Sequence, residues 1–164
     1  MMTLYLTRKA GTEPILLSLP ATPADIGNAF AELDAICQDP SATEIYKVDS
    51  EVRNLSRYIC KVNVEDSENL RKLNQLAELL QSMSREDQMK MEGVLDSNSI
   101  NGMDDILNAV SMVKEYALLE EVTSDRTLGN YLVAHGVIDC PENIKPYLDY
   151  VGIGAEFYSD HGGA

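Results

Sequence analysis

The spacing of apolar residues changes near residue 61, and that change points to a mixed architecture of strands followed by helices. Before it, Thr3-Leu4-Tyr5-Leu6-Thr7 alternates, and Ile15-Leu16-Leu17-Ser18-Leu19 is a compact apolar run between Pro14 and Pro20. Both predict strands, as does Glu44-Ile45-Tyr46-Lys47-Val48-Asp49, which is rich in β-branched and aromatic residues. Thr22-Pro23-Ala24-Asp25 is a helix start, with an N-cap, proline at the first helical position and an acid in the first turn. Ile26, Phe30, Leu33 and Cys37 then recur at helical spacing, and the helix should end before Pro40.

After residue 61 the period is helical. Ser67 is the expected cap of a helix with Leu70, Leu73, Ala77, Leu80 and Met83 on one stripe. Ser84 with Asp87 resembles a capping box and opens a second helix through Met89 and Val94. Asp96 to Gly102 is turn-rich, and a third helix follows from Met103 through Ile106, Leu107, Val110 and Val113. Thr123 or Ser124 caps a fourth, with Leu128, Tyr131 and Leu132, closed by Gly136 as its C′ residue. Pro141 opens a short fifth with Ile144, Tyr147 and Leu148, and Glu156-Phe157-Tyr158 predicts a final short strand. The chain contains no internal repeat and no low-complexity segment.

A length of 164 residues suits one domain, or two to three small ones sharing a core. Charge is what excludes function classes. Thirteen Lys and Arg against 27 Asp and Glu give a net −14. That argues against binding nucleic acid directly, because phosphate recognition needs Lys and Arg, and against adhesion to an anionic membrane. Apolar runs do not exceed four residues, as in Tyr116 to Leu119, so no membrane span or secretory leader is expected. Cys37, Cys60 and Cys140 are odd in number and widely spaced, which argues against disulfides and points to a reducing cytoplasm. The formal sequon Asn54-Leu55-Ser56 is then coincidental.

Chemistry is hard to find. His135 and His161 stand 26 positions apart, and Cys140 five after His135 makes at most a two-ligand fragment, so no metal site is expected. Asp96-Ser97-Asn98 starts like a calcium loop, but Gly102 comes one place late and Leu107 stands where the bidentate Glu belongs. There is no G-x-S-x-G, no P-loop, and Gly152-Ile153-Gly154 lacks a third glycine. Neither a cofactor nor a catalytic set is expected; the chain reads as a non-enzyme.

The acidity remains. Asp25, Glu68, Glu86, Asp87, Asp104, Asp105, Asp125 and Glu142 fall in expected first helical turns, where the helix dipole favours anions. Glu68 with Lys72 and Glu86 with Lys90 are stabilising i,i+4 pairs. Capping explains where acids sit; it leaves unexplained why so few bases accompany them. Self-repulsion destabilises a compact state, so a retained excess suggests a use. The excess is concentrated: residues 1–60 carry a net −3 and residues 61–164 a net −11. Carboxylates three or four apart on a helix lie about 5–6 Å from one another, the spacing of Glu65 with Glu68, Glu92 with Asp96, and Glu121 with Asp125. Duplex DNA carries a charge about every 1.7 Å of axis. Rows of acidic helices present a sparser field of the same sign, suited to a protein with a DNA-binding groove.

Several segments resemble one family. Leu73-Asn74-Gln75-Leu76-Ala77-Glu78-Leu79-Leu80 resembles the L-N-x-L-A-x-x-L helix of ArdA-type antirestriction proteins. Val122-Thr123-Ser124-Asp125 leading to Leu128-Gly129-Asn130-Tyr131-Leu132 is similar to their V-T-x-x-x-x-L-G-x-Y-L segment. Pro141-Glu142 through Tyr147-Leu148-Asp149-Tyr150 and Gly154 resembles their ending, and Leu19-Pro20-Ala21-Thr22 their L-P-A-T opening. The resemblance covers residues 16–164; Cys140 departs from it, standing where the family commonly has an apolar residue.

The resemblance implies an elongated α+β chain of three small domains: 1–61 α+β, 62–102 helical, and 103–164 α+β with the dimer contact. It implies an acidic B-DNA mimic, borne on mobile elements, that occupies the groove of type I restriction–modification enzymes as a homodimer. The expected collective surface is Glu65, Asp66, Glu68, Glu78, Glu86, Asp87, Glu92, Asp96, Asp104, Asp105, Glu115, Glu120, Glu121 and Asp125. The antirestriction segment and dimer contact would hold Val122, Leu128, Tyr131 and Leu132. The alternative is an acidic helical adaptor for a partner unrelated to DNA, using Met83, Met89, Met91, Met103 and Met112 as an adaptable surface. A third, a hydrolase dependent on His135, would need turnover abolished by changing that residue.

Overall fold

The computed structural model describes residues 1–8, 12–37 and 42–161. Pro40 and the Gly162-Gly163 tail lie outside them. Among the described residues the chain is α+β, with three strands and seven α-helices in two compact units, Met1–Tyr116 and Ala117–Ala164.

In the first unit, β1 (Met2–Thr7) is the central strand, flanked antiparallel by β2 (Ile15–Leu19) and β3 (Glu44–Asp49). Register follows the apolar pattern: Leu4 sits opposite Leu17 on one side and Val48 on the other. Met2, Leu4 and Leu6 are fully buried on one face, with Leu17, Leu19, Ile45 and Val48. A one-residue slip would turn that whole set to solvent. The pairing shifts between Tyr5 and Leu6, so Tyr46 is an extra residue in β3 and stands exposed.

Helix α1 (Pro23–Ile36) begins where the sequence places it. The Thr22 hydroxyl accepts the Asp25 N–H, and the Asp25 carboxylate accepts the Thr22 N–H, a complete capping box. Leu33 is buried, while Ile26 and Phe30 are half-buried against the core. The short α2 (Leu55–Ile59) buries both its end residues. Then come α3 (Ser67–Ser82), α4 (Arg85–Ser97) and α5 (Met103–Met112), the last running into a 3-10 turn at Val113–Glu115. Leu73, Leu76, Ala77 and Leu80 of α3 meet Met91, Val94 and Leu95 of α4 and Met103, Ile106 and Ala109 of α5 in the same buried cluster as the sheet. The breaks expected near residues 61 and 102 therefore fall inside one unit whose core crosses both.

Local corrections have local causes. Asp66, rather than Ser67, caps α3, because its carboxylate accepts the Glu68 N–H at 2.9 Å. Met89 faces solvent and Met91 takes the core position of α4. Of the five methionines expected to offer an adaptable surface, Met91 and Met103 are buried, Met83 and Met112 are half-buried and Met89 is exposed.

The second unit contains α6 (Asp125–Ala134), a 3-10 turn at Lys145–Tyr147, and α7 (Tyr150–His161). Ser124 caps α6 in a box with Thr127, and Gly136 (φ +68°) follows its C-terminus in the left-handed conformation that glycine accepts freely. The expected strand at Glu156–Tyr158 is helix, and no strand occurs among the unit's described residues, so the C-terminal α+β unit is corrected to an all-helical one. The glycines that look like loop residues are the reason. A Cβ on Gly129 would lie 2.0 Å from the Tyr150 carbonyl oxygen, and one on Gly154 would lie 1.8 Å from that of Asp125. Two backbones in contact need glycine at the crossing. Leu132 and Val133 are buried beside it.

Candidate functional site

The carboxylates expected to act together divide by what they touch. In the first unit most are tied to the fold. Glu65 accepts the buried Thr43's N–H at 2.9 Å, and Glu92 accepts that of Arg53 at 2.8 Å. Asp105 accepts the Asn101 N–H at 2.9 Å. Asp96 receives the Tyr58 hydroxyl at 3.1 Å and faces Arg57 at 3.4 Å. Each holds a loop or a neighbouring helix in place, which no residue spacing reveals.

Two lysines gather four more. Lys72 of α3 lies 2.8 Å from Asp104 of α5 and 3.8 Å from Glu68, so one cation joins two helices. Arg71 adds a two-pronged contact on Glu68, with distances of 2.9 and 2.6 Å. Its hydrogen bonds, above all, hold the Glu68 carboxyl below its ordinary value, while the hydrogen bond to Asp104, first among the causes, raises the Lys72 ammonium. Lys90 lies 2.7 Å from Glu86 and 3.9 Å from Asp87, and the Glu86 contact raises it likewise. The expected pairs Glu68–Lys72 and Glu86–Lys90 are both formed.

The expected rows of carboxylates are not continuous helical stripes. Glu65 precedes α3 and Glu121 precedes α6, so neither shares a helix with its supposed neighbour, Glu68 or Asp125. Glu92 and Asp96 do share α4, but both turn toward residues 53–58 of the same unit. Glu78 and Glu115, by contrast, are exposed and have no ion-pair or hydrogen-bond partner.

The second unit differs. Glu120, Glu121 and Asp125 are exposed, and their carboxylates meet no cation or donor. So are Asp139, Glu156 and Asp160, which motif and first-turn reasoning pass over. What would have found them is local charge density: residues 117–164 hold eight acids and two bases. Here only Glu142, against Lys145, and Asp149, accepting the Gly152 N–H at 3.1 Å, are engaged.

In the Val122–Leu132 segment, Leu132 is buried and Val122 and Leu128 are half-buried. Tyr131 stacks on His135, with ring centroids 4.0 Å apart, and the His135 ring nitrogen sits 3.0 Å from the Tyr131 carbonyl. His161 repeats the device on Phe157 at 4.2 Å. Both imidazoles thus stand at the C-terminal end of a helix, each against the ring and carbonyl one turn earlier.

Two other features complete the chemistry. A cleft of about 300 Å³ opens between Tyr58, Lys61, Asn63, Asn69, Asn101 and Met103, and no carboxylate lines it. Among the described residues no group of three or more His, Cys, Asp or Glu side chains is gathered to hold a metal, and no helix is long and apolar enough to cross a membrane. Compared with known proteins, the chain matches no family model, no curated protein and no solved structure.

Proposed function

We propose that this chain is a non-enzymatic antirestriction protein: an acidic imitation of B-DNA that occupies the DNA groove of type I restriction–modification enzymes. The proposal includes a cytoplasmic setting and a homodimer formed through the segment holding Val122, Leu128 and Tyr131. The observation that carries it is the surplus of exposed carboxylates without a cation: Glu78 and Glu115 in the first unit, and Glu120, Glu121 and Asp125 in the second. A net −14 costs compactness, and such a field attracts a Lys- and Arg-lined groove at long range. The motif resemblance supplies the identity of that groove.

The tied acids serve differently. Glu68, Glu86, Asp87 and Asp104 are partly neutralised by Lys72 and Lys90 before any partner arrives. Glu65, Asp66, Glu92, Asp96 and Asp105 contribute charge to the field while holding backbone or side chains.

The test is competition between the purified protein and a DNA duplex for a type I methyltransferase at several salt concentrations. The protein should displace the duplex at low salt and lose strength toward physiological salt, because ions screen charges beyond about 8–10 Å. Failure to displace the duplex, or displacement indifferent to salt, rejects the reading.

A further inference from the structure

The turn between α4 and α5 carries a reactivity unrelated to the acid excess. Asn101-Gly102 is the one place in the sequence where glycine follows asparagine. Asparagine is a thermolabile residue, because its side-chain amide carbon can be attacked by the backbone nitrogen of the next residue. Three local conditions decide whether that attack succeeds: room at the following residue, a free attacking N–H, and an amide that nothing holds. All three are met here. Gly102 has no Cβ to crowd its nitrogen. Its N–H has no hydrogen-bond partner among the described residues, since α5 begins at Met103 and engages the Gly102 carbonyl, which accepts the Ile106 N–H at 3.3 Å. Asn101 is exposed and lies outside any helix or strand. Its backbone N–H is bonded to Asp105 at 2.9 Å, while its side-chain amide has no partner among the described residues. Asn98 is the contrast: it is half-buried, its amide donates to the Val94 carbonyl at 2.7 Å, and the bulkier Ser99 follows it.

We propose that Asn101-Gly102 is a self-modification site, where the chain converts Asn101 to aspartate and isoaspartate. The Gly102 nitrogen loses its proton and bonds to the Asn101 Cγ. The Cγ–Nδ2 bond breaks, and the amide leaves as ammonia, taking up a proton. Water then opens the resulting succinimide. Attack at Cγ restores the original peptide bond and leaves aspartate; attack at the main-chain carbonyl leaves isoaspartate, with the chain running through Cγ. Water is the sole co-reactant, and nothing is oxidised or reduced. Either product exchanges a neutral amide for a carboxylate. Asn101 lines the same cleft as Lys61, whose walls hold no carboxylate, and Lys61 has no carboxylate partner among the described residues. The aspartate product puts an anion on that wall, and the isoaspartate product lengthens the main chain by one atom just before α5. The site stands apart from imitation of DNA, since the reaction needs no partner.

The experiment holds the full chain in neutral and in mildly alkaline buffer and follows it by intact mass and peptide mapping. A synthetic peptide of residues 96–107 supplies the rate of the unrestrained sequence. The Asn101 segment of the folded chain should gain the mass of an NH2-to-OH exchange and separate into aspartyl and isoaspartyl forms, at a rate within about tenfold of the free peptide. The rate should rise in the alkaline buffer, because the attacking nitrogen must lose its proton. Gly102→Ala should slow the reaction at least about tenfold, which a small rise in barrier achieves. That variant should keep the circular dichroism of the parent, because the Gly102 backbone is extended (φ −174°) and a Cβ there meets nothing within 4 Å. A folded chain that stays unmodified while the peptide reacts overturns the proposal. So does modification that falls on Asn98 instead, or that proceeds equally fast in Gly102→Ala. Competition with duplex DNA is no part of the readout, so this proposal and the DNA-imitation reading fail separately.

Discussion

The two units use the same residue type in opposite ways. In Met1–Tyr116, eleven bases accompany nineteen acids, and the acids cap helices, bridge α3 to α5 and hold the segment after β3. In Ala117–Ala164, two bases accompany eight acids, and Glu120, Glu121, Asp125, Asp139, Glu156 and Asp160 hold nothing. The difference teaches that net charge alone is a poor guide to a charged site. A carboxylate that accepts a backbone N–H is explained by the fold it stabilises, whereas an unpartnered one contributes repulsion and no local bond. The second unit is therefore where the acidity asks most for a functional account.

The largest expected effect breaks or upholds that distinction directly. Changing Glu120, Glu121, Asp125, Asp139, Glu156 and Asp160 together to their amides should weaken competition with duplex DNA about 100-fold at low salt, on the scale of electrostatic steering, with little change in melting temperature. The same treatment of Glu65, Glu68, Glu86, Glu92, Asp96 and Asp104 should lower the melting temperature and cost only a few-fold in competition. Equal losses of competition from both sets would show that tied and free acids serve alike.

The second effect sharpens the comparison through packing. Unit one rests on a buried cluster running from Met2 to Val113, whereas unit two depends on the α6–α7 backbone contact at Gly129 and Gly154. Gly154→Ala forces a methyl to within 1.8 Å of a carbonyl oxygen, and overpacking of this kind costs about 3 kcal/mol. Amide hydrogen exchange should show α6 and α7 losing protection while β1 keeps its own. Unchanged protection in α7 would mean the helices separate at no cost, and the contact is incidental.

What the sequence makes legible follows the range of the interactions. Strands β1 to β3 and the starts of α1, α4 and α6 are written within a few residues, by alternation, Thr22-Pro23, Ser84 and Ser124. Gly136 as a helix-ending residue is equally local. The helix α7 is misread because its two glycines and its Glu-Phe-Tyr segment imitate a loop and a strand; only the approach of α6 explains glycine at 154. The breaks near 61 and 102 mislead for a related reason. Turn-rich composition marks where a chain changes direction, and a single core can be threaded across both turns. At the site, the i,i+4 pairs are legible. The pairing of Asp104 with Lys72, 32 positions away, and of Glu65 with Thr43 depends on tertiary approach.

The smallest effect concerns acid. Three carboxyls of the first unit are held below their ordinary values: Asp25 by the Thr22 hydroxyl and N–H, Asp49 by hydrogen bonds from Lys47 and Tyr5, and Glu68 chiefly by Arg71. A carboxyl whose pKa is lower in the folded chain adds stability that is complete above the unfolded value, about 4. That stability is lost as pH falls from there through the folded value. All three are solvent-facing, so the combined effect is a modest downward drift of melting temperature below about pH 4, read as a loss of unit-one structure. Thr22→Val keeps the backbone donor of the capping box and removes its hydroxyl, so the drift should become shallower while the neutral-pH melting temperature falls slightly. An identical drift in parent and variant would show that Asp25 gains nothing from the box, and would leave Asp49 and Glu68 to account for the acid sensitivity of the first unit.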